Sequence, residues 1–241
     1  MKYDPNFINI ELNNDNVFVY SVRKSLQKAL DKSINEFSGT LLDLGCGEMP
    51  YKQYILDNNK AIKKYIGVDV SFVSYHRSVE PDLYWNGSTI PIENNSVDTV
   101  IATELFEHIP NIEIVLKEIF RVLRKGGTLY FTVPFIWPLH ETPFDEYRYT
   151  PYSLLRHLKN TGFNNNRIMS LGSYNAALAQ ILCIWTALKK GMTRNKSLFL
   201  CLEIILIFPL IKYLLNKDSK ENIGQYSENT IPTGFYALIR K

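Results

Sequence analysis

Apolar residues recur along this chain with two alternating rhythms. From Val17 to Phe37 the positions Val19, Val22, Leu26, Leu30 and Ile34 fall three and four apart, which predicts an amphipathic helix. Asp15 or Asn16 stands where its N-cap belongs, and Ser38-Gly39 ends it. Leu41, Leu42 and Leu44 form a short apolar run, fit for a strand buried on both faces. Gly45 and Gly47 then permit a turn that a Cβ would crowd. Pro50 suits the first turn of a helix whose apolar side opens at Tyr54 and Ile55. A second strand covers Tyr65 to Val70, a short one lies near Asp82 to Trp85, and another runs from Thr99 to Ala102 behind Asp98. Pro110 starts a helix with Val115, Leu116, Ile119, Phe120, Val122 and Leu123 on one face. Arg121, Arg124 and Lys125 suit its C-terminal dipole, and Gly126 a left-handed cap. Thr128 to Val133 is a strand; Thr150, Pro151 and Gly162 are the cap, first turn and close of a further helix. Strand, turn, helix and strand in succession predict an α/β fold.

The last third is more apolar. Ser173 to Leu188 is fairly amphipathic, and Lys189, Lys190, Arg194 and Lys196 form a basic bridge. Leu198 to Leu215 is nearly all apolar, broken by Glu203, Pro209 and Lys212, and its length alone would permit a membrane span. Thr233 to Arg240 is a clear strand, whereas residues 1–16 are polar, asparagine-rich surface cover.

With 241 residues the chain can bury one large α/β core. A formal net charge of +3 is too small to argue for nucleic acid, and no basic cluster alternates with aromatics. Three cysteines, far apart and without metal spacing, predict reduced thiols in a cytoplasmic protein. No metal site is expected. The N-terminus lacks the apolar core of a signal peptide.

Asp69 lies some two dozen residues past the glycines, where a carboxylate binds the hydroxyls of a ribose. A dinucleotide turn would need a glycine where Pro50 stands, and Glu48 would repel a pyrophosphate. A nicotinamide oxidoreductase is therefore disfavoured, and a phosphate-free nucleoside such as S-adenosylmethionine fits. Asp43-Leu44-Gly45-Cys46-Gly47 followed by Asp69 resembles the class I S-adenosylmethionine-dependent methyltransferases, although Met49 replaces a glycine common there. The stretch NGSTIPIENNSVDTVIATELFEHIP is similar to the same family, which often has Asp at the position of Asn86. Helix, RKGG and strand match the end of its common core, so the resemblance covers Leu41 to Pro134.

That resemblance implies a Rossmann-like seven-stranded, mostly parallel sheet with an antiparallel C-terminal strand. An apolar helical insertion would precede that strand. It implies one domain: cover 1–40, cofactor core 41–134, acceptor-side segment 135–172, insertion 173–216 and final strand 217–241. Asp43, Gly45, Cys46 and Gly47 would hold the methionyl part of S-adenosylmethionine, and Asp69 and Val70 its ribose. Asn86 and Gly87 would border the adenine, and Thr103 and Glu104 would sit on the cofactor side of the fourth strand.

The segment Pro134 to Phe163 gathers His140, Glu141, Asp145, Glu146, Tyr147 and Arg148. It is similar to a segment of bacterial methyltransferases of surface-polysaccharide synthesis. The implied acceptor is a small molecule or glycan, a sugar hydroxyl that could be lipid-linked, and not nucleic acid. His140 is the candidate base, with Asp145 and Arg148 the catalytic candidates beside it. His108 competes, although the family's E-H pair implies a structural role; His76 and His157 read as ordinary residues. Because the final strand must rejoin the sheet, a single membrane span is excluded, and two spans would put the basic bridge outside. The apolar pair then lies on the inner face of a membrane or packs as a lid, and its apolar surface favours membrane contact. A methyltransferase-like module that binds lipid or a partner without turnover is the remaining alternative.

Overall fold

A computed structural model describes residues 3–71, 79–164, 167–192, 203–218, 224 and 226–241. His76, Arg194, Lys196 and the start of the Leu198 run lie outside the described residues, as do the side chains of Lys189 and Lys190. Seven strands form one sheet: β1 (Gly39–Leu44), β2 (Ile62–Val70), β3 (Leu83–Trp85), β4 (Val97–Thr103), β5 (Leu123–Pro134), β6 (Ile168–Leu171) and β7 (Gly234–Arg240). Their order is β3-β2-β1-β4-β5-β7-β6. β1 to β5 pair in parallel, and β7 runs antiparallel to both β5 and β6. This is the expected α/β sheet with its antiparallel final strand; β6 carries no clear signal in the sequence. β1 sits centrally, and alternate side chains enter different cores. Leu42 and Leu44 join one under α3 (Ile112–Val122) and α4 (Pro151–Asn160). Leu41 joins the other, with α1 (Val17–Ser33) and α2 (Lys52–Asn58). Burial on both faces explains why β1 is a continuous apolar run.

Several local expectations need correction. Asn16 is the N-cap residue of α1, but its side chain donates to the Glu11 carbonyl and accepts from Asn13 N, so it caps nothing. Pro50 and Pro110 each precede an N-cap, Tyr51 and Asn111, instead of lying in the first turn. α3 stops at Val122, and Gly126 (φ +79°) instead shapes a bulge in β5, where the register with β4 slips. Arg121 is not at the helix carbonyls either; it pairs with Glu118 and donates to the carbonyls of Ile90 and Ile92. The Thr150 cap is as expected: its Oγ accepts from Ser153 N at 3.3 Å.

α5 (Tyr174–Met192) and α6 (Phe208–Asp218) dock on α1. Ala176, Ala179 and Cys183 meet Ile211, Leu214 and Leu215, with Val17 and Tyr20 beneath. Asp218, the last residue of α6, closes the pair by accepting from Ser173 N (2.7 Å) and Ala176 N (3.2 Å) at the start of α5. The opposite face keeps Leu178, Ile181, Trp185 and Leu188 exposed. Among the described residues no helix is long and apolar enough to cross a membrane.

Candidate active site

The chain leaves β1 toward β2 on one side, and β4 lies on the other. Ligands of open α/β sheets bind at such a reversal, beyond the carboxyl ends of the strands. The turn after β1 is built on Gly45 (φ +71°) and Gly47 (φ +51°), with Gly45 N donating to Val68 O at 2.8 Å. A Cβ on Gly47 would meet nothing within 4 Å. The bare backbone there faces open space, which is a cradle for a ligand. Asp69 closes the turn from β2: its carboxylate accepts from Gly47 N at 2.9 Å and Val70 N at 2.7 Å. A carboxylate has about four acceptor positions, and these two amides take two of them. Met49, the departure from the family's glycine, takes the left-handed conformation glycine would favour (φ +52°). It fits because Gly67 gives way: a Cβ there would lie 2.6 Å from Met49 Sδ and 3.0 Å from Cys46 Sγ. The Cys46 thiol is thus packed against β2 and donates to the Gly47 carbonyl of the turn at 3.6 Å. Asp43 is buried and accepts from the Tyr65 hydroxyl at 2.5 Å. Burial raises its pKa to about 7. Asn86 folds its side chain onto Ser88 N and Thr89 N, shaping a turn in which Gly87 (φ +80°) is also open to space.

At the end of β4, Glu104 has φ +50°, and its amide donates to Thr132 O at 3.1 Å. Its Oε1 is buried without a partner among the described residues, and burial pushes its carboxyl above the usual range. Leu105 touches the Gly45 turn, since a Cβ on Gly45 would come within 2.6 Å of Leu105 Cδ1. A short 3-10 turn, Phe106–His108, follows directly.

The segment after β5 folds over this turn. Glu146 N and Tyr147 N both donate to the Glu107 carbonyl, at 2.9 and 3.1 Å. The two loops bring the rings of His108 and His140 edge to face, 4.9 Å between centroids. His108 Nδ1 lies 3.0 Å from the Phe144 carbonyl, which can only accept, so Nδ1 carries a proton, and Nε2 faces the carboxylates of Glu107 and Glu141 at 3.8 Å. His140 Nδ1 lies 3.3 Å from Asp145 Oδ2 and 3.5 Å from Arg148 Nη2. Nη2 also donates to Asp145 Oδ2 (2.8 Å) and Pro138 O (3.0 Å), and the His140 amide donates to the same Asp145 oxygen at 3.1 Å, so the ring sits against the Asp145–Arg148 pair.

Asp145 is only 2% exposed at its side chain, and the Arg148 guanidinium holds its carboxyl well below the usual range. Asp145 and Arg148 thus pair with each other beside the His140 ring. His157 pairs with Glu113 at 3.0 Å on the outside of α4, as an ordinary helix residue. Sequence reasoning misses Glu107: its side chain is fully buried, neither oxygen has a hydrogen-bond partner among the described residues, and Oε1 lies 3.8 Å from His108 Nε2. In the sequence it resembles a solvated loop charge, and nothing local marks its burial.

Residues 42–131 match the family described as a methyltransferase domain. The human thiol S-methyltransferase TMT1A is 29% identical over 121 residues, 44% of this chain. The chain spans about half (49%) of that curated relative's length. A SAM-dependent methyltransferase from Archaeoglobus fulgidus shares the fold at 15% identity and TM-score 0.55, over 95% of this chain and 100% of that one. So does phosphoethanolamine N-methyltransferase 2 from Haemonchus contortus, in complex with S-adenosyl-L-methionine, at 15% identity and TM-score 0.54, over 95% of this chain and 57% of that one. The open glycine cradle, the Asp69 carboxylate beside it and the orphaned Glu104 oxygen fit a cationic nucleoside of this kind.

Proposed function

We propose that this chain is a class I S-adenosylmethionine-dependent methyltransferase and that it methylates a hydroxyl of a small-molecule or glycan acceptor. Residues 134–163 favour a sugar, as in surface-polysaccharide synthesis. The observation that carries this reading is His140. Its amide donates to Asp145 Oδ2 at 3.1 Å, its Nδ1 lies 3.3 Å from the same oxygen, and it stands on the loop that covers the cofactor turn. Asp69 would take the ribose hydroxyls, the Gly45–Gly47 backbone the methionyl part, the Asn86–Gly87 turn the adenine edge, and Glu104 the α-ammonium group. The bound sulfonium supplies a methyl carbon that accepts an oxygen lone pair and leaves a neutral thioether. His140 Nε2 would remove the hydroxyl proton, and Asp145 would stabilise the imidazolium. Alignment contributes more than the base, up to roughly 7–11 kcal/mol in favourable cases.

A thiol acceptor is the second reading, favoured by the name of the human relative. A thiol ionises near pH 8.5 and needs less help from a base. Transfer of labelled methyl to sugar nucleotides, lipid-linked glycans and small thiols tests both readings, and transfer to none of them would support a non-catalytic module. Calorimetry against S-adenosylmethionine, S-adenosylhomocysteine and NADH tests the cofactor; micromolar NADH binding would favour an oxidoreductase. We also propose that α5 and α6 rest on the inner face of a membrane. The exposed stripe Leu178, Ile181, Trp185 and Leu188, with Leu210 and Tyr213 on α6, supports this. Gln180 ties α5 to the acceptor-side segment through the Ile136 carbonyl at 3.2 Å, which would hold that segment near a lipid-linked acceptor.

A further inference from the structure

We propose that Glu107, His108 and His140 form a binding site for a divalent first-row transition-metal ion, Zn2+ being the best fit, with an open position for the acceptor's oxygen or sulfur. One ligating atom from each residue lies within 4.8 Å of the others. Glu107 Oε1 is 3.8 Å from His108 Nε2, and Glu141 Oε2 approaches the same nitrogen at 3.8 Å from the solvent side. Bonds of 2.0–2.1 Å in a tetrahedron set ligands about 3.3 Å apart, so an ion would draw this group inward by about 1 Å. Two imidazoles and a carboxylate suit zinc better than calcium or magnesium, which prefer oxygen.

Three independent features make this more than a cluster of polar residues. First, His108 Nδ1 is held on the Phe144 carbonyl at 3.0 Å, which turns Nε2 toward Glu107, and His140 is set in place by its amide, which donates to Asp145 Oδ2 at 3.1 Å. Outer partners of this kind orient and tautomerise metal-binding histidines. Second, the Glu107 side chain is wholly buried, and neither of its oxygens has a hydrogen-bond partner among the described residues. An uncompensated buried carboxylate is costly, and a cation supplies the missing partner. Third, the backbone is stapled around the group by Glu146 N and Tyr147 N on the Glu107 carbonyl. Bound at the ion's open position, an acceptor hydroxyl or thiol would release its proton to solvent at lower pH. His140 would then be a ligand, and the ion would replace it in activating the acceptor.

The test uses the full chain, stripped by a chelator and dialysed, with Co2+ as the probe. We expect one Co2+ per chain, with the visible d–d absorption of a four- or five-coordinate ion, displaced by equimolar Zn2+. Glu107→Gln and His140→Ala should each weaken Co2+ binding by about tenfold or more. Asp145→Asn, which touches no ion, should weaken it about 10–100-fold. S-adenosylmethionine affinity in the same variants shows that the fold is kept, and His108→Gln replaces any variant that loses it. Absence of the d–d bands, or Co2+ affinity unchanged in folded Glu107→Gln and His140→Ala, would overturn the site. The ion's role rests on the methyl-transfer reading, and the two fail differently. Full methyl transfer by the stripped enzyme in excess chelator would end the ion's role and leave methyl transfer standing. Co2+ bound through these residues, without transfer to any acceptor, would support the site and count against methyl transfer.

Discussion

Arg148 and Asp145 join side chain to side chain through two hydrogen bonds, Nη1 to Oδ1 at 2.6 Å and Nη2 to Oδ2 at 2.8 Å. The same guanidinium reaches the carbonyls of Trp137 and Pro138. One planar fork thus closes the loop that presents His140.

Lysine offers a point charge and cannot bridge a carboxylate and two carbonyls. Arg148→Lys should lower kcat about tenfold by displacing His140, with cofactor affinity held within about twofold. His140→Ala should cost roughly 10²-fold or more in turnover, and the double variant should be no slower than His140→Ala alone. Steady-state kinetics with calorimetry decides the matter. Full activity of His140→Ala would remove it from the chemistry.

Asp69→Ala removes charge-assisted hydrogen bonds worth roughly 1.5–3 kcal/mol, so S-adenosylmethionine affinity should fall about 10–100-fold. Because Asp69 also accepts from Gly47 N and Val70 N, part of that loss comes from a looser turn. Asp69→Asn, which keeps one acceptor oxygen, should lose less. An unchanged dissociation constant for the alanine variant would refute the ribose role.

The two glycines of the turn should separate in function. Alanine at either costs about 1–2 kcal/mol for its left-handed backbone. At Gly45 the methyl would also meet Leu105, so Gly45→Ala should destabilise further and disturb the adjacent Glu107–His108 turn. At Gly47 it would enter open space, so Gly47→Ala should stay folded and lose cofactor affinity. Urea unfolding and calorimetry on both variants test this, and equal cofactor affinity in Gly47→Ala and the parent would place the ligand elsewhere.

Asp43 makes stability depend on pH. Its folded pKa is about 7 against an ordinary value of 3.8, because burial disfavours the charged form. A raised folded pKa contributes stability that is fully present below the unfolded value and lost as pH rises through the folded one. Stability should therefore decline between about pH 4 and pH 7 by a few kcal/mol, with a slope on the order of 1.4 kcal/mol for each pH step of one across that window. Asp43→Asn should flatten that slope. Parallel urea midpoints of variant and parent across this range would show that Asp43 is ionised in the fold.

For the outer face of α5 and α6, liposome flotation is the measurement. Binding to anionic vesicles should weaken with salt and when Lys189, Lys190, Arg194 and Lys196 become Gln, each basic residue being worth about 1 kcal/mol near a charged surface. Trp185→Ser with Leu188→Ser should weaken it further. A protein that stays at the bottom with anionic and neutral lipid alike, and is monomeric without detergent, has a packed lid instead.

The sequence by itself determined the central unit from Leu41 to Asp69. A doubly buried strand, a glycine turn and a terminal carboxylate are each written in adjacent residues. The Thr150 cap and the final strand were legible for the same reason, since caps and strand runs are short-range features. Tertiary structure decided the meeting of His108 and His140. They stand 32 positions apart, and they touch because β4 and β5 pair in parallel, with Thr103 opposite Thr132, so that both loops leave the same sheet edge. It also decided the burial of Glu107, which resembles a loop charge until the 140s segment folds over it, and the role of Gly126, which serves a strand bulge and not a helix end. For α5 and α6, hydropathy measured how much apolar surface there was, and docking on α1 settled which side is covered. Local periodicity records what a residue does within its own element. Which elements become neighbours depends on strand order and long-range packing, and that order brought the candidate site together.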